Sequence, residues 1–163
     1  MKKEKENLIY KSDSKDETFK LGKKIGKIVD KDQLILLSGD LGAGKTLLVQ
    51  GIARGLHIDE RITSPTFNLI KEYKGDCNLF HMDLYRLDSS EELYNIGFID
   101  YIDRTGIVVI EWPEVALKLL PREYLYITLE VMNTNTRKLI FNAEGERANK
   151  LLKGLSQYAD SWN

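Results

Sequence analysis

The eight residues Gly39-Asp40-Leu41-Gly42-Ala43-Gly44-Lys45-Thr46 satisfy the pattern G-x-x-x-x-G-K-[ST] without a mismatch, and no other stretch restricts the fold as strongly. The glycines let the backbone bend around a phosphate and approach it where a side chain would obstruct. The segment follows the apolar run Leu34-Ile35-Leu36-Leu37 and precedes Lys45 to Arg54, which is rich in helix formers and ends at Gly55. Strand, glycine loop and helix in that order form a phosphate-binding unit. Loop N–H groups point inward, the helix N-terminus adds its positive end, and Lys45 can reach the β and γ phosphates. The hydroxyl of Thr46 is left for Mg2+. The expected nucleotide contacts are therefore Asp40, Leu41, Gly42, Ala43, Gly44, Lys45, Thr46 and Leu47.

The remaining pattern supplies the frame for such a loop. Ser14-Lys15-Asp16-Glu17 has capping-box spacing and predicts a helix from about Lys15 to Val29. Phe67 to Tyr73 and Asn78 to Met82 read as two strands joined around Gly75-Asp76, the second a candidate for the sheet's edge. A helix is expected from Ser89-Ser90-Glu91 to Gly97, a second strongly apolar strand over Gly106 to Ile110, and a short helix over Glu114 to Leu120, stopped by Pro121. Tyr124 to Val131 and Arg137 to Asn142 flank Asn133-Thr134-Asn135-Thr136 as a hairpin, and Glu144 to Tyr158 is expected as an amphipathic closing helix. The expected fold is a single α/β P-loop domain over residues 1–163, with a central mixed, partly parallel sheet and flanking helices. Ligands of such sheets bind beyond the carboxyl ends of the strands, where the segments after Leu37 and Ile110 both lie.

Composition narrows the setting. With 25 acidic and 24 basic residues there is no net field to draw the chain onto DNA, RNA or an anionic membrane, so any RNA contact is expected to be local or carried by a partner. The single cysteine, Cys77, excludes an internal disulfide, fits a reducing compartment and is expected as a buried free thiol. Met1 to Asn7 is charged and followed by only three apolar residues, which is not a signal-peptide pattern, and no apolar run approaches the roughly 20 residues that span a bilayer. A cytoplasmic location without membrane contact is expected.

A phosphate loop also needs an acid beyond an apolar strand to hold magnesium or its waters. Asp83 after Leu79-Phe80-His81-Met82 and Glu111 after Ile107-Val108-Val109-Ile110 are the candidates. Lys45, Asp83 and Glu111 form the expected catalytic set, and Thr46, Asp83 and Glu111 the expected metal set, with Asp83 ordering the Mg2+ shell and Glu111 positioning the attacking water. Thr66, in Thr63-Ser64-Pro65-Thr66-Phe67, lies where P-loop switches carry a threonine that senses the γ phosphate. No Asn-Lys-x-Asp sequence follows Glu111, which favours ATP over GTP. A small-molecule kinase and a nucleotide-dependent binding module share these features. Against the kinase, only Lys118 and Arg122 are basic between Glu111 and the expected hairpin, so no arginine-rich lid is evident.

Taken together, Gly39 to Thr46, Thr63 to Phe67, His81-Met82-Asp83-Leu84-Tyr85-Arg86, Glu91-Glu92-Leu93 with Gly97 and Asp100-Tyr101, and Ile110-Glu111-Trp112-Pro113-Glu114 resemble the TsaE (YjeE) family, over nearly the whole chain. The resemblance implies a small ATPase of bacterial tRNA N6-threonylcarbamoyladenosine synthesis. It implies that Thr46 and Asp83 serve Mg2+, that Glu111 is required for hydrolysis, that Trp112 lies close to the nucleotide, and that Thr66 belongs to a switch-like segment. It also implies work with TsaD and TsaB, the carbamoyl transfer itself belonging to TsaD, and a link to tRNA indirectly through that complex. His81 fits a structural or a chemical role, and Arg86 fits phosphoryl stabilisation, an acid partner or a partner surface.

Overall fold

The computed structural model describes residues 7–65 and 69–160. Seven strands form one sheet: β1 (Leu8–Ser12), β2 (Gln33–Ser38), β3 (Ile70–Tyr73), β4 (Leu79–Asp83), β5 (Ile107–Glu111), β6 (Tyr124–Val131) and β7 (Arg137–Glu144), in the spatial order β1-β7-β6-β2-β5-β4-β3. The inner four, β6, β2, β5 and β4, run parallel, while β3, β7 and β1 pair antiparallel at the flanks. The mixed α/β sheet is therefore as expected.

The two parallel strands with unbroken apolar sequence, β2 and β5, are buried on both faces, which is what such runs require. Alternation divides them. Ile35, Leu37, Ile107 and Val109 pack with helices α1 (Lys15–Ile28), α2 (Lys45–Gly55) and α5 (Glu146–Asp160). Leu34, Leu36, Val108 and Ile110 pack with Leu93 of α3 (Glu91–Asn95), Phe98 of α4 (Phe98–Ile102) and Ala116 of a 3₁₀ helix (Pro113–Leu119).

Helix α1 starts as its spacing predicts: the Ser14 hydroxyl accepts from the Glu17 amide at 3.1 Å. The Glu17 carboxylate reaches back one residue further, to the Asp13 amide at 2.7 Å. Helices α1 and α2 meet through Gly22, Gly26, Gly51 and Gly55. A Cβ on Gly26 would overlap the Ile52 carbonyl oxygen and lie 2.9 Å from the Cα of Gly55, so only hydrogen fits between these backbones. This contact fixes the first turn of α1 beside the first turn of α2, where the glycine loop ends.

Several expectations change. β1 was not anticipated; Leu8 and Tyr10 pack on the core and Ser12 is buried, because β7 supplies an antiparallel partner some 130 residues away. The sheet's edge is β3, whereas β4 lies between β3 and β5, where Phe80 and Met82 are buried. β3 begins at Ile70, and the expected strand start at Phe67 lies outside the described residues. After α3, Gly97 takes φ +72° and a second short helix, α4, follows. β7 runs to Glu144, so α5 starts at Glu146 rather than Glu144, with the Glu123 carboxylate accepting from the amides of Arg147 (2.6 Å) and Ala148 (3.1 Å). Cys77 is a free thiol but only partly buried, donating to the Lys31 carbonyl at 3.2 Å; burial nonetheless pushes its pKa up. No described helix is long and apolar enough to cross a membrane.

Candidate nucleotide-binding site

A cleft of about 330 Å³ opens at the carboxyl ends of the parallel strands. Its floor is the loop from Leu41 to Leu47, and Asp83, Glu111 and Trp112 line one side. Opposite lie the first turn of α1 (Ser14, Lys15, Thr18) and the β6–β7 turn with Arg137. The loop's geometry explains its glycines: Gly39, Gly42 and Gly44 have φ of +151°, +79° and +105°, which other residues adopt only under strain.

Strand pleating brings the acids together. Asp83 pairs with Glu111 across β4 and β5, and His81 lies two residues earlier on the same face, turned toward α2. The Thr46 hydroxyl, in the first turn of α2, donates to the Glu111 carboxylate, 3.1 Å from Oε1 and 3.2 Å from Oε2. His81 Nε2 lies 2.6 Å from Glu111 Oε2, and both side chains are buried. Asp83 accepts from Ser64 Oγ at 3.1 Å and from the Tyr85 amide at 3.0 Å, and Ser64 Oγ is 3.5 Å from Thr46 Oγ1. Thr46 thus meets Glu111 directly and Asp83 through Ser64, while the two acids stand opposite each other on adjacent strands.

Lys45 is buried, and its ammonium donates to the carbonyls of Gly39 and of Asp40 (3.1 Å) and sits 4.0 Å from the centre of the Trp112 ring. Burial lowers its pKa, with the charges of Glu111 and Asp83 opposing the shift. Trp112 itself has φ +56°, uncommon for a bulky residue, followed by Pro113, which disfavours the right-handed helical conformation at its predecessor. Its ring packs 4.9 Å from that of Tyr85. Strained backbone of this kind gathers at functional sites.

Asp40 contributes a carbonyl to Lys45 but does not line the cleft, and Leu41, at the loop's tip, is 68% exposed. Thr66 lies outside the described residues. Arg86 is exposed in a shallow recess with Ser64, Pro65 and Asp83, beside the cleft rather than in it. Two residues were not singled out beforehand. Ser64 bridges toward Asp83, and its only sequence signal was its place in Thr63-Ser64-Pro65. Arg137 donates to the Ala43 carbonyl (3.0 Å) and to hairpin carbonyls including Asn133 (2.8 Å), tying the glycine loop to the β6–β7 turn. Nothing local in the sequence marks that role.

The donor set suits the expected ligands. A hydroxyl and two carboxylates are hard oxygen donors, and no group of three or more His, Cys, Asp or Glu side chains among the described residues could form a complete metal shell. Magnesium bound together with phosphate oxygens and water needs only such a partial shell.

A family model described as threonylcarbamoyl adenosine biosynthesis protein TsaE matches residues 12–139, a span that contains every residue lining the cleft. The tRNA threonylcarbamoyladenosine biosynthesis protein TsaE of Treponema pallidum is 41% identical over 128 residues, 78% of this chain and 95% of its own. The protein of that name from Bacillus subtilis is 34% identical over 152 residues, 93% of this chain and 95% of its own. The crystal structure of Bacillus subtilis YdiB superposes with a TM-score of 0.78 at 31% identity, covering 96% of this chain and 98% of that one.

Proposed function

The chain belongs to the TsaE family, and from that membership we propose that it is the ATP-binding and ATP-hydrolysing component of tRNA N6-threonylcarbamoyladenosine synthesis, supporting turnover of a TsaD–TsaB complex in the cytoplasm. The observation that carries the reading is the convergence of Lys45, Thr46, Asp83 and Glu111 on one glycine-lined cleft. Each supplies a part that phosphoryl transfer to water requires.

In this reading the amides of Gly42 to Thr46 and the N-terminus of α2 grip the triphosphate. The Lys45 ammonium exchanges the Gly39 and Asp40 carbonyls for phosphate oxygens, a swap between acceptors already in reach of the same flexible side chain. Thr46 and Asp83 hold Mg2+, which when bound neutralises charge on the phosphates. Glu111, beside Thr46, accepts a hydrogen from the attacking water and orients it. Trp112 lines the cleft, backed by the Tyr85 ring and set against Lys45, and so reports nucleotide arrival by fluorescence.

The test is reconstituted threonylcarbamoyl transfer to tRNA by TsaD and TsaB, with and without this chain. Repeated turnover that requires the chain and is lost with Lys45→Ala supports the proposal. Equal turnover with the variant, or without the chain, refutes it.

A further inference from the structure

Glu111 is held from two directions that differ in one respect. Thr46 approaches from the cleft, where a metal ion or phosphate competes for its hydroxyl. His81 approaches from behind, on β4, with no exposed surface, out of reach of any ligand in the cleft. A carboxylate only accepts, so Nε2 carries the hydrogen of the 2.6 Å bond to Oε2. Oε2 takes that hydrogen together with the longer approach of the Thr46 hydroxyl (3.2 Å), whereas Oε1 has the Thr46 hydroxyl alone. The other ring nitrogen, Nδ1, is buried with no hydrogen-bond partner, so among the described residues the imidazole's one polar tie is to Glu111.

A buried nitrogen left unbonded costs free energy. A buried aromatic side chain at this point of β4 would avoid that cost, since its neighbours Leu79, Phe80 and Met82 are apolar. What the histidine adds is a donor aimed at one oxygen of one carboxylate.

We propose that His81 is the positioning residue for Glu111: its Nε2–H fixes Oε2 whatever Thr46 is bonded to, and so keeps Oε1 directed at the place where water attacks. The inference rests on the assignment of Glu111 to the attacking water, and it implies that His81 governs turnover without governing nucleotide affinity.

Two variants separate donation from bulk. His81→Leu keeps an apolar filling and removes the donor, whereas the amide of His81→Gln can restore a hydrogen near the Nε2 position. With His81→Leu, nucleotide affinity from Trp112 fluorescence should stay within about threefold of wild type. Its turnover number should fall at least about a hundredfold, the loss expected when a catalytic group is misplaced by an ångström or so. His81→Gln should recover most of that loss. A His81→Leu turnover number near wild type, a loss carried by affinity instead, or a glutamine variant no better than leucine would each overturn the proposal.

A further readout is independent of activity and of the two His81 variants. In nitrogen-edited NMR of the wild-type chain, His81 should show a hydrogen on Nε2 that exchanges slowly with water. Its resonance should move in Glu111→Gln and persist when magnesium and ADP are added. A hydrogen on Nδ1 instead, or loss of the signal on adding magnesium and ADP, overturns the proposal. If the wild-type chain hydrolyses no ATP while the NMR result holds, the functional reading has failed and the His81–Glu111 link has not.

Discussion

Replacing Gly26 by alanine probes the contact that sets the two helix N-termini beside each other. A Cβ there would overlap the Ile52 carbonyl oxygen and lie 2.9 Å from the Gly55 Cα, where carbon atoms ordinarily rest about 3.5–4.0 Å apart. The helices must separate by most of an ångström, because the obstacles are backbone and cannot rotate away. Alanine's helix propensity returns about 1 kcal/mol. Overpacking costs about 1–3 kcal/mol where side chains yield, and more where they do not. We expect a net loss of about 2 kcal/mol, which lowers Tm by roughly 4–8 °C in a chain of this size. Gly154→Ala is the control: its Cβ would meet only the flexible end of Ile28, at 3.2 Å, so the propensity gain should leave Tm unchanged or raised. Differential scanning calorimetry reads both. Because α1 and α2 both border the cleft, Gly26→Ala should also weaken ATP binding. A Gly26→Ala protein melting at or above the wild-type temperature would refute the reasoning.

Glu111→Gln should retain ATP while losing at least about a hundredfold in phosphate release, and Asp83→Ala should lose turnover together with its response to magnesium; near wild-type phosphate release in either contradicts the roles given to them. Burial holds Lys45 below its ordinary pKa of 10.5. Between the two values the unfolded chain binds more protons, so stability rises with pH through that window. ATP affinity falls through the same window, as the ammonium is lost, and a Trp112 fluorescence titration that stays flat as pH rises toward 10.5 would contradict this. Arg137→Ala frees the Ala43 carbonyl and should raise KM for ATP by about tenfold with kcat little changed; an unchanged KM would show that the loop holds its shape without it.

What could be read from the sequence was what is encoded locally. The glycine loop, the apolar runs of β2 and β5 and the Ser14 cap each lie within a few residues, and each took the expected form. The strand β1 escaped because Leu8, Tyr10 and Ser12 become strand only through β7. Asp83 and Glu111 were legible as acids after apolar strands, but that they are direct neighbours depends on the β4–β5 register. The same register brings His81 to Glu111, turning a histidine with two open readings into one with a defined partner. Arg137 and Ser64 reach the site through side-chain contacts between segments far apart in the sequence, a placement that periodicity cannot encode. The edge went to β3 rather than β4 because Phe80 and Met82 fill the face toward α3 and α4, which an edge strand would leave half open.

The most direct measurement is calorimetric titration of the folded chain with ATP in excess magnesium, alongside Lys45→Ala. The expected result is saturable uptake of one nucleotide per chain, weakened when magnesium is chelated and abolished in the variant. Absence of uptake by the folded wild-type chain, or equal uptake by Lys45→Ala, would contradict the claim that this cleft grips a magnesium-bound triphosphate.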